Sequence, residues 1–114
     1  MKIEDIIKTL DLKVFTKGRS FIVENGYTCD LLSVVIANAP KNTLWITVQR
    51  HINIVAVASL KEIGGIVITE NLLPEKEVIK KSEEEKVWLL GTKHNSFKLS
   101  GELFRILNGE KIHG

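Results

Sequence analysis

Between Thr43 and Leu60 the chain reads Thr-Leu-Trp-Ile-Thr-Val, breaks into Gln-Arg-His, and resumes as Ile-Asn-Ile-Val-Ala-Val-Ala-Ser-Leu. Two apolar segments joined by a polar knot leave few architectures open. Leu44 to Val48 is a β-rich run. By propensity alone Ile52, Ile54, Val55 and Val57 would make the second segment a strand too. A hairpin through Gln49-Arg50-His51, however, lacks the Gly or Asn-Gly of a tight turn. Ala56, Ala58 and Ser59 suit close helix packing, and Gly64-Gly65 supplies a helix stop. Apolar residues all round the segment fit a helix covered on both faces. We read it as a helix. A strand entering a helix through a polar corner is half of a βαβ unit, and in open α/β sheets such corners carry ligands.

The flanking sequence extends this pattern. Ile3, Ile6, Ile7 and Leu10 recur at helical spacing, and Leu12 to Thr16 alternates like a strand. Phe21-Ile22-Val23 is a second candidate strand, with Asn25-Gly26 as a turn toward Tyr27-Thr28-Cys29. Asp30 and Pro40 bracket a helix over Asp30–Ala39, with Asp30 as its N-cap. Gly65 to Thr69 has the continuous apolar character of a buried parallel strand. Pro74 opens a helix from Glu75 to Glu85, whose charged run reads as a solvated face. Val87 to Leu90 is the last strand. Asn95 or Ser96 caps a final amphipathic helix that stops at Asn108-Gly109, and Glu110 to Gly114 reads as a frayed tail. The expectation is one α/β domain over 1–114. It is a three-layer sandwich with a mostly parallel central sheet of about five strands and helices on both faces.

The bulk properties exclude some functions. A chain of 114 residues buries a core without staples. Its formal charge is +2, with acids and bases interleaved as in Lys80 to Lys86. That gives no case for nucleic acid or an anionic membrane. The lone Cys29 rules out an internal disulfide and a cysteine-cluster metal site, and its apolar neighbours suggest a buried structural thiol. No apolar run nears the ~20 residues of a membrane span, and acids occupy the place of a signal peptide's apolar region. The expected compartment is the cytoplasm.

Phosphate-cradling glycine loops and the Gly-x-Ser-x-Gly motif are missing. His51, His94 and His113 are too scattered for a zinc site, so neither metal nor cofactor is expected. The remaining polar set is Asp30, Thr47, Gln49, Arg50, His51 and Asn53, with Ser33 nearby. One reading is plain capping: Asp30 caps its helix, and His51 or Asn53 satisfies orphan N–H groups. The other has these side chains converge on a small polar ligand over the strand ends, with Asp30 holding the imidazole of His51. Trp45 and Trp88 are read as core or interface residues.

The pattern Gly26-Tyr27-x-x-Asp30-Leu31-Leu32-Ser33 is followed by Ala37-Asn38-Ala39, then by Leu44-Trp45-Ile46-Thr47-x-Gln49-x-His51-x-Asn53-Ile54-Val55-Ala56-Val57-Ala58. With Gly65 to Thr69 and Lys81-Ser82-Glu83-Glu84, it resembles a stand-alone DRTGG domain from about Leu12 to Leu107. The resemblance implies an α/β sandwich similar to the N-terminal domain of HPr kinase/phosphatase and to modules of phosphotransacetylases and CBS-type pyrophosphatases. In those proteins the module is regulatory or dimer-forming. Asp30 takes the first position of the name-giving motif, but Leu31-Leu32 replace its Arg-Thr, so the roles of the Arg and Gly residues do not carry over. The expected function is thus a non-catalytic regulatory module that forms a homodimer and binds a small polar or nucleotide-like effector. The alternative is a small enzyme acting on a phosphorylated substrate, with His51 as acid/base.

Overall fold

The computed structural model describes residues 1–109. The tail expected at Glu110 to Gly114 lies outside them. The elements are α1 (Ile3–Thr9), β1 (Lys13–Thr16), β2 (Asn25–Thr28), α2 (Leu32–Asn38), β3 (Thr43–Thr47), α3 (Asn53–Lys61), β4 (Gly65–Ile68), α4 (Lys76–Glu85), β5 (Trp88–Gly91) and α5 (Ser96–Leu107). The strands form one sheet in the order β1-β5-β4-β3-β2. The four strands β2 to β5 run parallel, and β1 joins β5 antiparallel. The expected α/β sandwich is the fold observed.

The period-two alternation within the strands divides the core into two layers. Trp45, Ile66, Ile68 and Leu89 point to the layer of α2, α3 and α4, where they meet Val35, Ile54, Val55, Ala58 and Val78. Leu44, Ile46, Val67 and Leu90 point the other way, toward Ile3 and Ile6 of α1 and Leu99 and Leu103 of α5. With helices on both sides, β3, β4 and β5 are buried along their whole length, which is why they read as unbroken apolar runs. Both tryptophans belong to the core. Each indole N–H is satisfied by a carbonyl, Trp45 Nε1 by Cys29 at 2.8 Å and Trp88 Nε1 by Arg19 at 2.6 Å.

The segment after the polar knot is a helix, as its small residues suggested. It lies between α2 and α4 over the sheet, which accounts for its broad apolar girth. Its outer side is not covered: Ala56 faces water and Leu60 is 70% exposed. Its stop is not glycine but Glu62, in the left-handed region at φ 56°.

Four other local expectations change. Phe21 to Val23 makes only a single bridge, Ile22 to Lys2, because just the short extended Met1–Lys2 segment ahead of α1 lies beside it. Asn25-Gly26 is no turn but the start of β2, in register with Thr43 and Leu44. Gly26 leaves room there for Leu103, since a Cβ would sit 2.8 Å from that side chain's end and push it aside. Pro74 lies ahead of α4, not in its first turn. Cys29 is half-buried rather than buried: it follows the edge strand β2, and its thiol reaches the Leu31 carbonyl at 3.6 Å.

Candidate functional site

All the loops that follow the parallel strands gather at one end of the sheet. Asp30 leaves β2 there, one residue before the flank of α2. Its Oδ1 accepts a hydrogen bond from Thr47 Oγ1 at 2.8 Å and another from the Val48 amide at 2.9 Å. Thr47 Oγ1 accepts in turn from the Gln49 amide at 3.1 Å, and Gln49 Nε2 donates to the Asp30 carbonyl at 2.9 Å. Thr47 is fully buried at the end of β3. Asp30, Thr47 and Gln49 therefore form a closed latch that ties the end of β2 to the end of β3.

This corrects the role expected for Asp30. Leu31 flanks α2, and no side chain caps that helix, because the Asp30 carboxylate is turned to β3. His51 does not meet Asp30 either. Its Nδ1 lies 3.4 Å from Glu75 Oε1, with both side chains well exposed. Arg50 Nη1 donates to the Leu73 carbonyl at 3.2 Å. The Arg50 and His51 side chains thus reach sideways and hold the loop between β4 and α4. Asn53 is exposed at the start of α3, a helix without a side-chain cap, so neither it nor His51 plays the capping part. Of the six residues picked from the sequence, the structure locks three together, sends two to the neighbouring loop and leaves Asn53 facing solvent.

Sequence reading missed a second cluster beside this corner. The chain leaves β4 for α4 in one layer but leaves β5 for α5 in the other. A parallel sheet opens a crevice where successive connections diverge in this way. Here the two loops are stitched across the gap by Glu70 N–H to the His94 carbonyl and Asn71 N–H to the Thr92 carbonyl, both at 2.9 Å. Thr69 and Ser96 hydroxyls meet at 3.1 Å, and the Asn95 side chain caps α5 through the Lys98 amide. Glu70 and Asn71 are both left-handed, at φ 64° and 57°, and Leu72 N–H closes back on the Thr69 carbonyl. Two positive φ values inside a closed turn are the signature of type I′. The only sequence cue was the run of polar residues right after each apolar strand. Among the described residues no group of three or more His, Cys, Asp or Glu is placed to hold a metal. No helix among them is long and apolar enough to cross a membrane.

No curated protein sequence matches this chain. Among solved structures it is similar to the CBS and DRTGG domains of the regulatory region of Clostridium perfringens pyrophosphatase, a structure complexed with the activator diadenosine tetraphosphate. The TM-score is 0.73 at 17% identity, over 87% of this chain and 44% of that one. The present chain thus spans less than half of that neighbour, and the likeness is one of fold. The model of the DRTGG domain matches residues 5–106, nearly the whole of the sequence, and the chain belongs to the DRTGG domain family.

Proposed function

We propose that this domain is a non-catalytic regulatory module that associates with a second copy of itself and takes a small polar or nucleotide-like effector at the C-terminal ends of its parallel strands. Family membership supports the regulatory class, and a fold neighbour that is itself a regulatory region with a nucleotide activator supports the effector. The observation that carries self-association is the outer side of α5. Phe97 is 87% exposed and Phe104 58% exposed, each about one turn from Gly101, on either side of it. A glycine inside a helix costs about 1 kcal/mol relative to alanine. Among the described residues, apart from its chain neighbours and its own helix backbone, nothing comes within 4 Å of where a Gly101 Cβ would be, so no packing among them requires glycine. A second helix crossing that face would. Lys98, Glu102 and Arg105 border the same stretch, so two antiparallel copies of α5 crossing near Gly101 would bring unlike charges together. The effector would meet Arg50, His51 and Asn53 on the frame of Asp30, Thr47 and Gln49.

Sedimentation velocity over a concentration series tests the first part, and the expected species is a dimer that Phe97→Glu converts to monomer. A wild-type monomer at about 100 μM, well above the Kd of a useful interface, refutes it. A thermal-shift screen with nucleotides and small metabolites tests the second, since a ligand at a hundred times its Kd adds about 2.7 kcal/mol of stability.

A further inference from the structure

We propose that the crevice between the ends of β4, β5 and β1 is a binding site for a compact organic anion, a phosphate or carboxylate carried on a small apolar body. The proposal rests on the reading of this domain as effector-responsive, and it concerns a different place from the corner around Gln49 to Asn53. The crevice encloses a cavity of about 240 Å³. At ~30 Å³ per water, that is room for a compact ligand and not for a dinucleotide.

The lining divides by chemistry. Leu10, Phe15, Leu72 and Leu73 give an apolar floor and wall. Gly91 belongs to this floor: a Cβ there would fall 2.6 Å from the Phe15 ring, so only glycine lets the ring lie over the end of β5. The rim is cationic. Lys13 and Lys93 both line the cavity beside His94, while Asp11 is the one carboxylate among the described residues that line it. The Lys13 ammonium is held 5.1 Å above the Phe15 ring, which places the positive charge directly over the apolar floor. Apolar surface joined to a few convergent polar groups is what small-molecule sites share, and a diverging pair of strand connections is where open α/β sheets carry them. The walls are fixed in advance. The type I′ turn at Thr69 to Leu72 is bonded to the Thr92–His94 segment, and Thr92 Oγ1 accepts from the His94 amide at 3.2 Å. Arg50 braces the far side of the same wall through the Leu73 carbonyl.

The test is an amide-resolved NMR titration of the full chain with phenyl phosphate, benzoate and inorganic phosphate. Saturable shifts from phenyl phosphate or benzoate at Gly91 to His94, Asn71, Leu72 and Lys13 are expected, with whichever probe binds more tightly naming the anion class. Inorganic phosphate should bind about tenfold more weakly, since it lacks the apolar body. The charge reversals Lys13→Glu and Lys93→Glu together, both at exposed residues, should weaken the better probe by about tenfold or more. The charge-matched control Lys41→Glu with Lys80→Glu should leave it within about twofold, because those lysines lie away from the crevice. Absence of saturation by about 20 mM, equal binding of inorganic phosphate, or equal binding by the Lys13/Lys93 double variant overturns the proposal. Shifts confined to Gln49 to Asn53 also overturn it while leaving an effector at the corner standing, and the dimer read by sedimentation is independent of every one of these results.

Discussion

Removing the Asp30 carboxylate should cost stability in an amount the latch geometry sets. Asp30→Ala deletes the acceptor of two hydrogen bonds, from Thr47 Oγ1 at 2.8 Å and from the Val48 amide at 2.9 Å. A bond to a charged acceptor contributes about 1.5–3 kcal/mol, but Asp30 is exposed, and water can reach the freed Val48 amide. Thr47 is different. It is fully buried, so its hydroxyl loses its acceptor without replacement, at about 1–3 kcal/mol. The sum expected for Asp30→Ala is about 2–3 kcal/mol, which for a domain of this size lowers Tm by roughly 8–12 °C. Asp30→Asn keeps an acceptor and should cost about 1 kcal/mol. Thr47→Val removes the same bond from the other side. Urea denaturation of both single variants and the double variant should therefore give a coupling energy of about 1 kcal/mol or more, as contacting partners do. A coupling near zero, or an Asp30→Ala protein with unchanged Tm, would refute the latch and return Asp30 to the list of groups free to meet a ligand.

Three further outcomes follow from single contacts. Ser82, buried within α4, has its hydroxyl within hydrogen-bond distance of Thr16 Oγ1 at 2.8 Å and of the Ile79 carbonyl at 2.7 Å, so Ser82→Ala should destabilise by about 1–2 kcal/mol in chemical denaturation despite alanine's better helix propensity. Glu62 holds a left-handed conformation just past α3, where glycine is the unstrained residue, so Glu62→Gly should raise stability by about 0.5–1 kcal/mol in the same assay. The Ser59 hydroxyl, donating at 2.7 Å, and secondarily Lys81 hold the Glu85 carboxyl below the ordinary glutamate range. With the folded-state pKa depressed, its contribution is present above the unfolded pKa and is lost as pH falls through the folded one. An NMR acid titration should find Glu85 among the last glutamates to protonate, and Ser59→Ala should move it back toward the ordinary range.

Layering and strand direction were legible because burial writes itself into periodicity. Leu44 to Ile46 and Ile66 to Ile68 are apolar without interruption because helices cover both faces of the sheet. The corner after β3 was legible for the same reason, as the place where such a run stops. Less legible was what each polar side chain does there. Asp before an apolar run carries the usual sign of a helix cap, yet a register that sets Thr28 beside Ile46 brings Thr47 close enough for the carboxylate to turn inward. Glu75 as the partner of His51 depends on where α4 starts, a separation no local pattern encodes. Gly26 looked like a turn because glycine tolerates turns. Its actual reason, the approach of Leu103, lies far along the chain. The crevice beyond β4 and β5 was invisible for a topological cause: it exists because α4 and α5 depart to opposite faces, and the sequence does not say which face a helix takes.

The order β1-β5-β4-β3-β2 also governs how the molecule can be assembled in time. Strands β2 to β5 are each joined to the next by one helix, so they can add stepwise as short-range βαβ units. Lys13 and Val14, by contrast, must wait for Gly91 and Leu90 from near the other end of the domain. Long loop closure is slow, and contacts of this separation raise the kinetic barrier. Until β1 arrives, β5 is an open parallel edge whose apolar residues can recruit another chain. The N-terminal strand is thus a late closure that ends the vulnerable phase. Shortening the chain ahead of Thr16 should show itself first as aggregation during refolding, before any loss of helical signal.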